Sequence, residues 1–325
     1  MGNEQTLPTS QHFEVQKLTE GVYAALALLG GWATANAGII DLGDRTIVFD
    51  TFLNPAAAAD LRGAAERLTG RPVTTVINSH YHNAHVWGNQ VFGEAEIVAT
   101  SRTYELMDTQ GRQDIKWHQE HAATRLAELE KQHAATRNVQ PRRQLEQQMV
   151  YYKAVIATLP HLTLRLPTTT FDSRLGLRGS ARRVEAITYG AGHTQSDAIL
   201  YLPDDNILFM GDLLTVGCHP YLADGDPGEI DRILGIIRQL NPHTFIPGHG
   251  AIGTTDDVRA MADYLTALSE LALIELTYKL ENPDQLEQKI AELTMPKPFI
   301  AWSQPDLFAA NLRFLYQRLM KAYAD

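Results

Sequence analysis

Cysteine is almost absent from this chain, which has one residue of that type, Cys218, among 325. A single thiol excludes an internal disulfide framework, and a lone cysteine is more often a small buried residue than a nucleophile. The polar segment 1–11 lacks the basic and then apolar pattern of a secretory signal. No apolar run reaches the roughly 18–20 residues that a membrane helix needs. We therefore expect a cytoplasmic protein without a membrane partner.

Positive charge is also scarce. The chain has 28 Lys and Arg residues against 38 Asp and Glu residues, and its formal net charge is -10. A nucleic-acid surface needs clustered cations to neutralise phosphates, whereas the basic residues here form only short pairs at 142–143 and 182–183. We expect a small-molecule substrate rather than a nucleic acid.

Strands and turns dominate the first third of the sequence. The pair Gly43-Asp44 is a hairpin signal between two apolar runs. Asn54 and Pro55 are typical of a helix cap and first turn. The run 73–78 is apolar and β-branched, as expected for a buried strand that ends just before Ser79-His80. Strands are predicted over 13–18, 22–28, 37–42, 46–50 and 73–78, and a helix over 55–68.

The composition changes to Glu, Gln, Arg, Ala and Leu at helical spacing over about 102–159. Pro141 is expected to divide this segment into two helices. Such a helical pair between strand-rich segments predicts an insertion that covers the site or mediates a homodimer. Beyond it we predict strands over 162–202, 207–210 and 244–246, a helix over 227–240, and a helical extension over about 256–325 with breaks near 282–283 and 296–305. We expect a single domain over 1–325.

Histidines cluster at predicted strand ends and in glycine-bearing turns. Three of the 12 histidines lie within six positions directly after the predicted strand 73–78. Imidazole nitrogens and carboxylate oxygens are ligands that suit zinc, and side-chain alternation lets both rings of an extended H-x-H pair meet one ion. The candidate ligands are His80, His82, His85, His193, Asp212 and His249.

The other histidines outside this cluster are interpreted as hydrogen-bonded structural or surface residues, which is the commoner role of an isolated histidine. Among them, His118 and His121 lie three apart on a predicted helix and form a less favoured alternative metal pair. Apart from His219, which is considered below, these are His12, His118, His121, His133, His161 and His243.

The order His80-x-His82-x-x-His85, followed by His193, Asp212 and His249, resembles the signature of the metallo-β-lactamase superfamily. The segments 38–41 and 48–51 look like that family's opening hairpin, whose terminal Asp supports the metal loops. The resemblance covers roughly 21–250 apart from the insertion. It implies an α/β fold, a four-layer αββα sandwich with the metals at the edge of the sheets.

The resemblance also implies roles for these residues. His80, His82 and His193 would hold a first metal, and Asp212 would bridge to a second metal completed by His85 and His249. One or two zinc ions are expected, with iron or manganese as alternatives. A metal-activated water would attack an ester, lactone, thioester, amide or phosphoester, with Asp212 and His249 at the catalytic centre.

One position departs from the family pattern H-x-H-x-D-H, because Ala84 stands where the pattern has Asp. Alanine has no ligand atom, so the second site loses a carboxylate and is expected to bind its ion more weakly. The neighbouring Asn83 would point elsewhere in an extended segment. Either this chain is a natural variant with one strong metal, or the alanine is a deliberate Asp→Ala change that disables the enzyme.

Residues at the rim of the site are candidates for binding substrate. In loops near the ligands we single out Trp32, Tyr81, Trp87 and Tyr221. His219, seven residues after Asp212, is a candidate rim acid or oxyanion donor, and a surface histidine is the alternative.

Two other function classes stay open. Persulfide dioxygenases share this fold and hold one iron with two His and one Asp, which His80, His193 and Asp212 could supply. The Ala84 gap also permits a catalytically silent binding protein. Nuclease activity is disfavoured by the acidic balance.

Overall fold

Two β-sheets lie face to face at the centre of the computed structural model, which describes residues 6–278, 280 and 282–324. The strands of the first sheet are ordered β1 to β7 as in the sequence, and the second has the order β12-β11-β10-β9-β8. The first comprises β1 (Phe13–Thr19), β2 (Val22–Ala27), β3 (Ala37–Asp41), β4 (Thr46–Phe49), β5 (Val73–Ile77), β6 (Glu96–Thr100) and β7 (Thr169–Phe171); the second comprises β8 (Arg174–Arg178), β9 (Arg183–Thr188), β10 (Ala198–Leu202), β11 (Ile207–Val216) and β12 (Thr244–Gly250).

The inner faces of the two sheets share one apolar core. Phe49 from the first sheet meets Phe209 from the second with ring centroids 5.8 Å apart. Gly38 lets the sheets approach closely, since a Cβ there would lie 2.5 Å from the Phe209 ring. Helices cover both outer faces, so the predicted αββα sandwich is confirmed.

The outer face of the first sheet is covered by α1 (Pro55–Thr69). Its start follows the sequence prediction: the Asn54 side chain accepts a hydrogen bond from the Ala56 amide, and Pro55 occupies the first turn. The helix ends at Gly70, whose φ of 69° is a left-handed conformation that glycine adopts without strain.

The helical insertion lies between β6 and β7. It consists of α3 (Ser101–Leu106), a π-helical segment (Met107–Gly111), α4 (Arg112–Ala135) and α5 (Val139–Thr158), while the short α2 (Asn83–Val86) precedes it. The two long helices separate at 136–138, and Pro141 lies in the first turn of α5, where its missing N–H costs no hydrogen bond. Apolar residues of the insertion pack on the loop after β5, as Leu106 and Val155 do in a cluster with Tyr81 and Trp87.

The outer face of the second sheet is covered by α6 (Pro227–Leu240), with the predicted bounds, and by the C-terminal extension. This extension contains α7 (Thr255–Leu271), α8 (Leu286–Glu292) and α9 (Asp306–Ala324). The helices are interrupted over 293–305, apart from the short turn Lys297–Phe299, whereas the predicted break covers 296–305. The break expected near 282–283 borders positions outside the described residues. In the part of the chain that the structure describes, no helix has the length and apolar character needed to cross a bilayer.

Candidate metal centre

The loop after β5 is held by one carboxylate at the end of β4. Asp50 accepts hydrogen bonds from the Ser79 amide and the Ser79 hydroxyl, each at 2.7 Å, and from His85 Nδ1 at 2.8 Å. Its φ of 60° is unusual for a residue with a side chain, and aspartate is among the few that tolerate it. This buried side chain therefore fixes the positions of His85 and of Ser79, which precedes His80. This is the support expected of the residue that ends the hairpin.

The second sheet brings a carboxylate and an imidazole to the same edge. Asp212 lies on β11, His249 lies on the neighbouring parallel strand β12, and His193 lies in the turn between β9 and β10. Gly248 makes room for the carboxylate, because a Cβ there would lie 1.8 Å from Asp212 Oδ1. The glycine-bearing turns noted in the sequence thus permit close approach of backbone and ligand atoms.

Three imidazoles and the Asp212 carboxylate form a first group of potential ligands. His82 Nδ1 lies 3.1 Å from His80 Nε2 and 3.0 Å from His193 Nε2. Asp212 Oδ2 lies 3.3 Å from His193 Nε2 and 3.8 Å from His80 Nε2. One atom from each of the four residues lies within 4.8 Å of the others, so they could share one cation.

A second group shares the same carboxylate. His85 Nε2 lies 3.2 Å from Asp212 Oδ1, and His249 Nε2 lies 3.3 Å from Asp212 Oδ2. These three residues could hold a second ion. The structure therefore brings together all six predicted ligands, with Asp212 common to both groups.

Two buried atoms of the second ligand group have no aligned hydrogen bond to the part of the chain that the structure describes, as expected of atoms that bind a metal ion. Among the described residues, His85 Nε2 and Asp212 Oδ1 are buried side-chain atoms without an aligned hydrogen bond, although they lie 3.2 Å apart. Buried polar atoms normally have hydrogen-bond partners, whereas these two atoms face each other within the second ligand group. Imidazole nitrogens with a carboxylate are a donor set that suits zinc.

The ionisation of these groups also suits metal binding. Burial lowers the pKa of His193 to about 3, and burial likewise holds the pKa of His80 well below its usual range, so both rings are neutral at pH 7. Burial would raise the pKa of Asp212, but His249, His85 and His193 outweigh it and hold that pKa well below its usual range. His80 and His193 therefore offer neutral imidazoles, and Asp212 offers an ionised carboxylate.

His85 behaves differently in the metal-free protein. Burial lowers its pKa, but the carboxylates of Asp212 and Asp50 outweigh burial and raise that pKa to about 10. A second metal ion would therefore compete with a proton for His85. Binding of that ion would release this proton.

Asp224 is a site residue that the sequence analysis missed. Its Oδ2 lies 2.9 Å from His82 Nε2 and accepts a hydrogen bond from the Tyr81 hydroxyl at 2.9 Å. The hydrogen bond to His82, ahead of the opposing effect of burial, lowers the pKa of this carboxyl. The only sequence signal was an aspartate in a turn-rich segment before α6, which is common in loops without a site.

The position of the missing ligand faces the site. Ala84 lines the cavity beside the two ligand groups. Asn83 points into the insertion instead, where its Nδ2 donates to the Tyr151 hydroxyl at 2.8 Å and to Asp114 Oδ2 at 3.3 Å. As expected from the sequence, Asn83 does not replace the carboxylate.

A cavity of about 720 Å³ opens above the candidate ligands. Some of the predicted rim residues line it and others do not. Tyr81 and Tyr221 line the cavity, whereas Trp32, Trp87 and His219 are absent from its described lining. Trp87 is 1% exposed and packs against the insertion, and Trp32 stacks on His12 with centroids 5.9 Å apart. Neither tryptophan belongs to the described lining of the cavity.

His219 lies in the core rather than at the rim. It is 1% exposed, and its Nδ1 lies 2.8 Å from the Tyr264 hydroxyl on α7. Burial lowers its pKa to about 4. His219 therefore does not reach the described lining of the cavity, because its ring packs against Tyr264 of α7 and Trp302.

The insertion contributes residues that the sequence analysis did not single out. Asp114 of α4 and one face of α5 line the cavity opposite the metal loops. This agrees with the expected covering role of the insertion. The α5 residues are Gln144, Gln147, Gln148, Val150, Tyr151 and Tyr152.

Comparison with known proteins places this geometry among related folds. The sequence model of the metallo-β-lactamase superfamily matches residues 30–249. A solved metallo-β-lactamase from Pontibacter korlensis is similar at 17% identity and a TM-score of 0.57, covering 78% of this chain and 99% of that chain. One from Hirschia baltica has 17% identity and a TM-score of 0.55, covering 79% and 98%. FIM-1 from Pseudomonas aeruginosa, solved in a mono-zinc form, has 15% identity and a TM-score of 0.56, covering 80% and 97%. At these identities the likeness shows the fold.

Proposed function

The chain belongs to the metallo-β-lactamase superfamily, and from this premise we propose that it is a zinc-dependent hydrolase of a small molecule. The bond cleaved is an ester, lactone, thioester or amide. The observation that carries the proposal is the convergence of His82 Nδ1 on His80 Nε2 and His193 Nε2 at 3.0–3.1 Å, with the Asp212 carboxylate beside them.

The two ligand groups are proposed to differ in affinity. The first has four ligand residues, three imidazoles and the shared carboxylate, and the three imidazoles would leave the fourth position of a tetrahedral zinc open to water. The second has three, and Ala84 leaves one ligand position without a donor. We assign a tightly bound zinc to the first group and a weaker second ion to His85, Asp212 and His249.

The chain's own residues would position the reaction. A bound zinc would acidify a water molecule and polarise the carbonyl of the substrate. Asp212, at the junction of both groups, would orient that water, and Asp224 would hold the His82 ring by its far nitrogen. Tyr81 and Tyr221 line the cavity within reach of a bound substrate.

An iron-dependent oxygenase and a silent binding protein are the competing functions. An iron site with two His and one carboxylate keeps its other positions open, whereas here a third imidazole, His82, lies equally near His80 and His193. This observation favours the zinc hydrolase. Measurement of substrate turnover distinguishes the zinc hydrolase from a catalytically silent binding protein.

Metal analysis and turnover on one preparation test the proposal. We expect about one equivalent of zinc after dialysis, and hydrolysis of uncharged aryl esters or lactones that a chelator abolishes and zinc restores. His82→Ala should lose both metal and activity, whereas the exposed control His161→Ala should keep both. Iron as the bound metal, or full zinc loading without turnover of any ester, lactone, thioester or amide, would contradict the proposal.

A further inference from the structure

The cavity above the candidate metal centre has an unusual charge distribution. None of the described residues that line it is a lysine or an arginine. Carboxylates line it from four different parts of the chain, namely the insertion, β11, the loop before α6 and the start of α9. They belong to Asp114, Asp212, Asp224 and Asp306.

One arginine outside the described lining contacts the cavity wall. Arg125 contacts the cavity residue Tyr152, and its guanidinium Nη1 also lies 3.1 Å from Glu128 Oε2. Both side chains of this ion pair are partly exposed, so solvent and the partner carboxylate screen the charge. Arg125 therefore leaves the sign of the cavity wall unchanged.

Amides and phenols make up much of the remaining polar wall. Gln144, Gln147, Gln148 and Tyr151 follow each other at spacings of one, three or four on α5, so they form one face of that helix toward the cavity. Gln148 Nε2 donates to Asp306 Oδ2 at 3.0 Å, which joins the insertion to α9. Such groups bind hydroxyls, carbonyls and amides without requiring a charge.

Apolar side chains complete the cavity at one edge. Leu28 and Leu29 of the loop after β2 line it and are 40% and 82% exposed, and Leu307 of α9 lines it as well. These side chains offer contacts to an aliphatic or aromatic portion of a ligand. No part of this edge adds a positive charge.

We propose that the substrate of this site is an ester, lactone or amide without any anionic group, an uncharged molecule whose hydroxyls or amides meet the glutamine face of α5. This inference rests on the proposed function and narrows its substrate class. The metal centre would receive the scissile carbonyl. A carboxylate, phosphate or sulfate elsewhere on the substrate would meet Asp114, Asp224 or Asp306, with no lysine or arginine among the described lining residues to pair with it.

Two metal-binding ligands that differ in one charge test this inference. We would titrate the zinc-loaded protein with benzohydroxamic acid and with 4-carboxybenzohydroxamic acid in a calorimeter. Both bind zinc through the hydroxamate, and only the second carries a carboxylate toward the cavity wall. We expect the uncharged ligand to bind at least about tenfold more tightly, because like charges oppose the second one. Equal affinities, or tighter binding of the carboxylate, would overturn the inference.

A charge introduced on the wall gives the matched variant. Gln147→Lys places a cation on the cavity face of α5. It should reduce the ratio of the affinities for benzohydroxamic acid and 4-carboxybenzohydroxamic acid by roughly tenfold. Gln147→Met changes the same position without a charge, and Gln132→Lys adds the charge on an exposed part of α4 outside the described lining; both should keep the original preference. A preference unchanged in Gln147→Lys would contradict the inference.

The outcomes separate this inference from the proposed function. Preferential binding of the uncharged hydroxamate supports the substrate class even where no hydrolysis is measured. Failure of the protein to retain zinc would reject the metal centre, and both proposals with it, whereas failure of both hydroxamates to bind the zinc-loaded protein would reject this inference alone. Hydrolysis of an anionic ester as fast as its uncharged counterpart would reject the substrate class alone.

Discussion

His82 and Asp224 are joined at 2.9 Å through the ring nitrogen Nε2, while the other nitrogen of the same ring faces His80 and His193. Since the Asp224 carboxylate can only accept, it requires the hydrogen on Nε2 and leaves the lone pair on Nδ1 free. The carboxylate therefore selects the tautomer whose Nδ1 could bind a metal. Tyr81 holds that carboxylate from another direction by donating to the same oxygen.

Asp224→Asn should weaken metal binding at the first ligand group. An amide in place of the carboxylate fixes the His82 tautomer less strongly and removes a negative charge near the ion. We expect a loss of roughly 10- to 100-fold in zinc affinity, typical of such supporting residues. Competition with a chromogenic chelator would measure it. Tyr81→Phe removes one hydrogen bond to Asp224 and keeps the Asp224 carboxylate, so it should lose less zinc affinity than Asp224→Asn. Wild-type zinc affinity in Asp224→Asn would contradict the role of Asp224 in supporting His82.

Ala84→Asp should strengthen the second site. The new carboxylate would lie on the cavity side of α2 beside His85 and add the donor that this group lacks. We expect metal content to rise from about one equivalent toward two, and turnover to rise roughly a hundredfold or more. Elemental analysis and initial rates on the same preparations would measure both effects.

The control at this position is Ala84→Asn, which has nearly the same shape and no charge. It should bind the second ion more weakly than Ala84→Asp. If the aspartate variant holds no more metal than the wild type and is no more active, Ala84 does not limit this site, whatever its origin.

The ligand set was predictable because it depends on local chain geometry. His80 follows a buried strand, and His249 lies in a Pro-Gly-His-Gly segment, so the sequence alone placed them at a strand end and in a glycine-bearing turn, and the family resemblance added the sheet edge. The cap at Asn54 and the helix Pro55–Thr69 were equally local, since one side chain and one proline define that start.

Residues contributed through distant packing were not predictable in this way. Asp114 reaches the cavity because α4 and α5 fold back over the loop after β5, a contact without a signal in a single sequence. His219 and Trp87 were placed at the rim because they lie near ligands in the chain. Sequence proximity does not fix the direction of a side chain, and both side chains turned into the core.

Gly248→Ala should disrupt the metal centre from the backbone side. The added Cβ would fall 1.8 Å from Asp212 Oδ1, so the carboxylate shared by both ligand groups must move. We expect loss of zinc binding by at least about tenfold, together with a lower melting temperature. Zinc titration and thermal unfolding with and without metal would separate these effects.

A second glycine provides the matched control. Gly63 lies on α1 with nothing within 4 Å of an added Cβ. Gly63→Ala should stabilise the protein by about 0.5–1 kcal/mol, because alanine favours a helix over glycine, and should leave metal affinity unchanged. Unaltered zinc affinity in Gly248→Ala would mean that Asp212 is not held where this geometry places it.

The buried His219 should make the protein less stable in mild acid. Burial lowers its pKa from 6.5 to about 4, so the unfolded chain binds the proton first as the pH falls. Its contribution to stability is fully present above pH 6.5 and is lost as the pH falls toward 4. The loss amounts to at most about 3 kcal/mol, and less where water screens the ring.

His219→Phe should remove this part of the acid sensitivity. The variant keeps an aromatic ring in the core but loses the hydrogen bond to Tyr264, which costs about 1 kcal/mol at pH 7.5. Urea unfolding of the metal-free protein at pH 7.5 and pH 4.5 would give the difference in unfolding free energy. We expect a smaller difference in His219→Phe than in the wild type. Tyr264→Phe removes the same hydrogen bond and keeps the imidazole, so it should retain the wild-type pH dependence; the same difference in all three proteins would show that His219 does not titrate between the native and unfolded states in this range.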